Sequence, residues 1–174
     1  MIGKKMQDAM SEQIKHELGS AYLYLSMVAY FHSCGWDGMA QWMRVQMQEE
    51  FVHAMKLFDH IRDRDGRATL LGLERPKAEW TSPLAAFQAA YQHEQFVTSR
   101  IDGLVKLSAE EEDHPASILL QWFVTEQVEE EASTSKVVKM LERIGDSGNG
   151  LILLDRELGM RIFTPPLPAQ AAAR

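Results

Sequence analysis

The sequence predicts an all-α protein, a four-helix bundle in up-down-down-up order with a long crossover between helices two and three and a short fifth helix near the C-terminal end. Three observations lead there. Ala, Leu, Met, Glu, Gln and Lys, all good helix formers, dominate the central segments. Apolar residues recur at alternating spacings of three and four along four long stretches, the pattern of a helix with one buried face. Gly, Pro and Ser cut the chain into short breaks after the first and third stretches and a long break after the second, so helices two and three must run parallel.

The first helix is predicted from Lys4 to Cys34 on a stripe of Ile14, Leu18, Ala21, Leu25 and Val28, and Gly35 stops it. The second runs from Trp36 or Asp37 to Arg64, with Met43, Met47, Glu50, Ala54, Leu57 and Ile61 on its inner stripe and Gly66 beyond its end. Residues Gly66 to Ser82, GRATLLGLERPKAEWTS, lack helical period and form the crossover. Ser82 as N-cap with Pro83 in the first turn opens the third helix, which ends near EEEDHP because Pro115 disfavours helix at the residue before it. The fourth runs from Pro115 to Ile144 and stops at Gly145, and LILLDREL forms the short fifth. Four helices of this length span about 40 Å each. Residues 1–160 read as one domain, and the proline-broken segment 161–174 as a disordered tail.

The chain of 174 residues is long enough to close a core without staples, and 45% hydrophobic with 25% charged residues is an ordinary globular balance. A formal charge of −7 leaves no basic footprint for nucleic acid and favours cations as partners. The single Cys34 excludes an internal disulfide and any cysteine cage for zinc or an iron-sulfur cluster within one chain. With no secretory signal and no apolar run of membrane-spanning length, the sequence reads as a soluble cytoplasmic protein that binds neither nucleic acid nor membrane.

Each helical stripe is interrupted by a group that binds metals. Glu17 lies with Ala21, Tyr24 and Val28 on a face flanking the first stripe; Glu50 sits inside the second with His53 one turn on; Glu94 interrupts the third; Gln127 and Glu130 interrupt the fourth. One inward carboxylate commonly has a mundane hydroxyl or arginine partner. Four on four helices do not, because unpaired ionised carboxylates in an apolar medium are strongly unfavourable and repel one another. The facing stripes contain no Lys or Arg, so the neutralising charge has to be protons or bound cations. Oxygen ligands with one imidazole suit iron or manganese, and Glu50 with His53 can chelate from one helical turn, the arrangement known from di-iron helix bundles.

At this point the sequence resembles the ferritin family over nearly its whole length, from Lys4 to Gly159. The segments that carry the likeness are EQIKHELGSAYLYLSM around Glu17, QEEFVHAMKLF around Glu50 and His53, YQHEQ around Glu94, and LLQWFVTEQVEEE around Glu126 to Glu131. Helix four offers Gln127 and Glu130 where a symmetric di-iron site would have Glu and His, which is similar to a non-haem ferritin of bacterial type. Val52 stands where a bacterioferritin would carry its haem-ligating methionine, so no haem is expected, and a rubrerythrin-like peroxidase would need a CxxC module that is lacking.

The resemblance implies that Glu17, Glu50 and His53 hold one iron and that Glu50 bridges to a second held by Glu94 and Glu130 and approached by Gln127. It implies a third iron nearby at Glu49, Glu126 and Glu129, with Glu130 shared, and gives Tyr24 the place of an electron donor beside the pair. Residue by residue the blander readings are a solvated acidic face for the EEE run and a core tyrosine for Tyr24. Trp122 has a weaker claim to the same redox role. The ten methionines read as core packing, and His16, His32, His60, His93 and His114 as surface residues. The implied function is an iron-storage ferroxidase: Fe(II) is oxidised by oxygen or hydrogen peroxide, and ferric oxyhydroxide is deposited inside a homo-oligomeric shell of 24 chains, with Leu151, Ile152 and Leu154 of the last helix lining its fourfold axes. The alternatives are a di-iron carboxylate oxidoreductase without storage and a helical interaction protein that binds no iron.

Overall fold

The computed structural model describes residues 1–164. Five helices make up its regular structure: α1 (Lys4–Ser33), α2 (Asp37–Asp63), α3 (Pro83–Glu110), α4 (His114–Ile144) and α5 (Gly148–Leu158). Among the described residues there is no strand, and no helix is long and apolar enough to cross a membrane. Gly35 makes the first turn possible by adopting φ 76°, a left-handed conformation that a side chain disfavours. The N-cap of α3 is as predicted, with Ser82 Oγ accepting from the Ala85 amide at 3.1 Å.

The topology follows from cross-helix pairs. Phe31 stacks near Phe87 and Tyr24 reaches Glu94, so α3 runs antiparallel to α1. Gln46 meets Glu130 while His53 meets Phe123, so α4 runs antiparallel to α2. With α1 and α2 packed as a tight hairpin, the order is up-down-down-up. The crossover returns the chain along α1: the Arg67 amide donates to Gln7, the Thr69 amide to Ser11, Ser26 donates to the Lys77 carbonyl, and Trp80 packs edge-on to Tyr30.

The core is two apolar clusters rather than one. Tyr24, Phe31, Met39, Met43 and Phe87 anchor one, and Met6, Met10, Leu57, Ile101 and Phe123 the other. Between them lies a belt of buried polar side chains that includes Glu17, Gln46, Glu50, His53, Glu94, Gln127 and Glu130. Five of the methionines are fully buried in these clusters, the packing role expected of them.

Several sequence expectations are corrected. Leu25 is 48% exposed, and the buried stripe of α1 runs through Met6, Met10, Ile14, Glu17, Ala21, Tyr24, Val28 and Phe31. The supposed flanking face is therefore the core face itself. Leu154 is buried in the chain's own core rather than available to line an axis, while Ile152 and Leu153 are exposed. His93 is not a surface residue: it is half-buried, bonds Ser20 Oγ at 2.7 Å and abuts Tyr24.

α5 is tied to the start of α2. No side chain of α2's own N-cap, Trp36, caps the helix; instead Asp155 Oδ1 accepts from the Met39 amide at 2.8 Å. Gly38 makes this possible, because a Cβ there would lie 1.7 Å from the Asp155 carbonyl oxygen. Beyond α5, Arg161 packs back on α2, its carbonyl accepting from Gln41 Nε2 and its guanidinium lying 4.5 Å from the Trp42 ring. The expectation of a disordered tail falls, from residue 165 onward, outside the described residues.

Candidate metal centre

The belt at mid-bundle gathers one turn from each long helix. On α1, Gln13 and Glu17 are four residues apart, and Gln13 Nε2 donates to Glu17 Oε1 at 2.9 Å, which leaves Glu17 Oε2 buried without a partner. On α2, Glu50 Oε2 is likewise buried and unpartnered, 3.5 Å from His53 Nδ1. Glu17 Oε2 approaches the same Nδ1 to 4.0 Å. Ligand atoms of Glu17, Glu50 and His53 thus lie within 4.8 Å of one another, all three residues buried. Orphaned oxygens converging on an imidazole nitrogen are what a divalent cation would satisfy.

A second grouping shares the same imidazole. His53 Nε2 stands 3.9 Å from Glu126 Oε1, and these two form a cluster with Glu130 within 4.8 Å. Glu130 Oε2 accepts from Gln46 Nε2 at 2.7 Å. On α3, Glu94 accepts from the Tyr24 hydroxyl through one oxygen and lies 3.5 Å from Gln127 Nε2 through the other. Gln127 is held by the Glu94 carbonyl at 3.3 Å and by Thr98 Oγ1 at 3.2 Å. Trp122 packs edge-on to His53 and carries Lys56 Nζ over its ring.

These carboxyls do not titrate like free ones. Burial, reinforced by the charges of Glu94, Glu17 and Glu130, pushes Glu50 well above the usual carboxylate range. Glu94 is pushed up to about 8, by burial first and by Glu130 next. Burial raises Glu130 to about 6 against the opposing hydrogen bond from Gln46. The Tyr24 hydroxyl rises well above its ordinary value through burial and the neighbouring Glu94. The metal-free belt therefore holds protons near neutral pH, and a cation can exchange for them.

Of the predicted site residues, the structure brings Glu17, Glu50, His53, Glu94, Gln127, Glu130 and Tyr24 into the belt, with Glu126 at its edge. Glu49 lines a cleft beside His53 but is engaged by Arg161, whose Nη2 donates to Glu49 Oε2 at 2.6 Å. Glu129 is exposed and joins neither grouping. The facing stripes do lack Lys and Arg, and Arg161, which comes from outside them, pairs with Glu49 rather than with the inward Glu17, Glu50, Glu94 or Glu130. Gln13 and Gln46 were also missed, although each lies four residues before a predicted ligand, a spacing that could have revealed them. No local signal points to Arg161.

Comparison with known proteins bears on this geometry. The family description Ferritin-like domain matches residues 7–144. A bacterial non-heme ferritin of Bacteroides fragilis (strain 638R) is 40% identical over 161 residues, covering 92% of this chain and 100% of its own. One from Staphylococcus aureus (strain MRSA252) is 35% identical over 163 residues, covering 94% and 98%. Among solved structures, an open-pore ferritin of the hyperthermophilic archaeon Archaeoglobus fulgidus superposes with a TM-score of 0.92 at 50% identity, covering 93% of this chain and 99% of that one. A closed form of it engineered by mutagenesis gives 0.93 at 51%, with coverage of 94% and 100%.

Proposed function

The chain belongs to the ferritin family, whose non-haem members oxidise Fe(II) and store iron, and from that premise we propose how its own residues do so. Fe(II) is the substrate. Glu17, Glu50 and His53 bind one ion, and Glu50 bridges to a second held by Glu94 and Glu130, with Gln127 alongside. A third ion binds beside them at Glu49 and Glu126, sharing Glu130, and Glu129, which faces outward, is left out of the set. The observation that carries this reading is the pair of buried, unpartnered oxygens, Glu17 Oε2 and Glu50 Oε2, converging on His53 Nδ1.

Carboxylates suit the reaction because they change between bridging and terminal binding and stabilise the ferric charge. Protons held by Glu50 and Glu94 leave as Fe(II) enters, which keeps the charge in the belt balanced. Tyr24 gives an electron during turnover, a role that its hydrogen bond to Glu94 supports. Gln127 and His53 contribute no negative charge of their own, which eases the onward movement of Fe(III). Oxygen or hydrogen peroxide accepts the electrons. Val52 before His53 supports a centre that works without haem.

Storage of ferric oxyhydroxide needs a container larger than one bundle, and the whole-chain likeness to an archaeal ferritin supports assembly into a 24-chain shell. We assign the work to the cytoplasm, where reducing conditions keep the exposed Cys34 a free thiol. The test is aerobic addition of Fe(II) to the apoprotein, far beyond three ions per chain, followed by size-exclusion chromatography monitored for protein and iron. Soluble iron co-eluting with a particle of several hundred kilodaltons supports storage. A small species with about two irons and precipitated excess would leave the di-iron oxidoreductase alternative instead.

A further inference from the structure

A cleft of about 240 Å³ lies beside His53, lined by Glu49, Val52, His53, Trp122, Glu126 and Phe163. Arg161 reaches the cleft through its lining residue Glu49, and is a built element rather than a loose surface side chain. Its carbonyl is held by Gln41 Nε2 at 3.2 Å, its guanidinium lies over Trp42 at 4.5 Å, and Nη2 is 2.6 Å from Glu49 Oε2. Three-quarters of both side chains in this ion pair are shielded from water. Among the described residues Arg161 Nη1 is buried without a partner, so the guanidinium engages its carboxylate at one corner only. Such a one-cornered contact holds Glu49 in place yet can be exchanged for a better cation.

We propose that Arg161 is the resident counter-cation of the third metal position: it occupies Glu49 in the metal-free protein and must let go before Glu49 can join Glu126 and Glu130 around an ion. The proposal rests on the reading that the paired site binds metal. It adds an order of filling, because the Glu17–Glu50–His53 grouping contains no competing basic side chain whereas the outer position starts occupied. Neutralising Glu49 also keeps it from repelling Glu126 and Glu130 when no ion is bound. Arg161 is thus a positioning residue that sets when the third ion binds.

The experiment is anaerobic calorimetric titration of the assembled apoprotein with Zn(II), which cannot be oxidised. In Arg161→Gln the third equivalent should bind about five- to tenfold more tightly than in the parent, with the first two unchanged, as expected for losing one partly shielded ion pair. Arg161→Lys, which keeps the charge, should stay near the parent. Glu49→Gln should lose the third ion, and adding Arg161→Gln to it should change nothing further. Because the guanidinium lies on Trp42 while Trp122 packs on His53, the fluorescence component that Trp42→Phe removes should change at the third equivalent and not before, whereas Trp122 responds to the first ions in both proteins. This readout needs no substitution at Arg161. An unchanged or weaker third ion in folded Arg161→Gln, or no Trp42 signal at the third equivalent, overturns the proposal and leaves Arg161 a clamp for its segment. Failure of the parent to bind the first two ions overturns the metal-site reading as well.

Discussion

Replacing Glu94 by Gln should stabilise the metal-free protein at alkaline pH while weakening metal binding. In the fold, burial and Glu130 raise this carboxyl from 4.5 to about 8. Between those values the native state holds a proton that the unfolded chain has released. The stability this provides is complete below pH 4.5 and is lost as pH rises through 8. Linkage puts the loss from this one group at about 3 kcal/mol between pH 5 and pH 8. For a chain of this size that is a fall of roughly 10 °C in melting temperature. Glutamine stays neutral, keeps an oxygen to accept from the Tyr24 hydroxyl, and should flatten that part of the profile. The assay is thermal unfolding of apoprotein and variant at fixed protein concentration from pH 5 to pH 8, with and without Zn(II). Zn(II) should reverse the alkaline loss in the parent, since binding draws on the deprotonated form, and do so less in the variant. Parallel profiles for the two proteins would refute the reasoning, because another group would then carry the titration.

Glu50→Ala should slow Fe(II) oxidation at least a hundredfold in stopped-flow absorbance, since it removes the carboxylate assigned to both ions. Tyr24→Phe should lose about 1 kcal/mol of apoprotein stability with its hydrogen bond to Glu94, and lose any tyrosyl radical signal seen by electron paramagnetic resonance during turnover. Gln127→Glu should lower apoprotein stability at pH 8 by about 2 kcal/mol through one more buried carboxyl beside Glu94, and should slow iron turnover; unchanged turnover would remove Gln127 from the account. Gly38→Ala should destabilise the fold by about 2 to 4 kcal/mol, read as a drop in melting temperature, because its methyl group collides with the Asp155 carbonyl.

The architecture and the ligand belt were legible because both are periodic. Glu50 stood out as the wrong residue in a right-spaced stripe, and the same reasoning reached Glu94, Gln127 and Glu130. Reading failed where periodicity is ambiguous or where contacts are remote. On α1 two stripes compete, and Leu25 made the outer one look like the core. It forms, with Tyr22, Phe51 and Met55, part of the apolar surface that α1 and α2 leave uncovered. Spacing counts apolar side chains but does not say what covers them. Glu129 sits in an acidic run that resembles a ligand cluster, yet its position on α4 turns it outward while Glu130 points in. Arg161 reaches Glu49 across 112 residues, and no helical repeat spans such a gap.

The capping of α2 by Asp155 bears on how the chain is made. During synthesis α2, which carries Glu50 and His53, is complete long before its N-terminal acceptor exists, since Asp155 follows Met39 by 116 residues. Until α5 emerges, the Met39 amide has only water, and the first turn of the ligand-bearing helix is free to fray. Maturation of the belt is thereby coupled to arrival of the chain's last helix. A nascent polypeptide stalled before α5 would present its carboxylates on an unsecured scaffold, where quality control could distinguish it from a finished subunit.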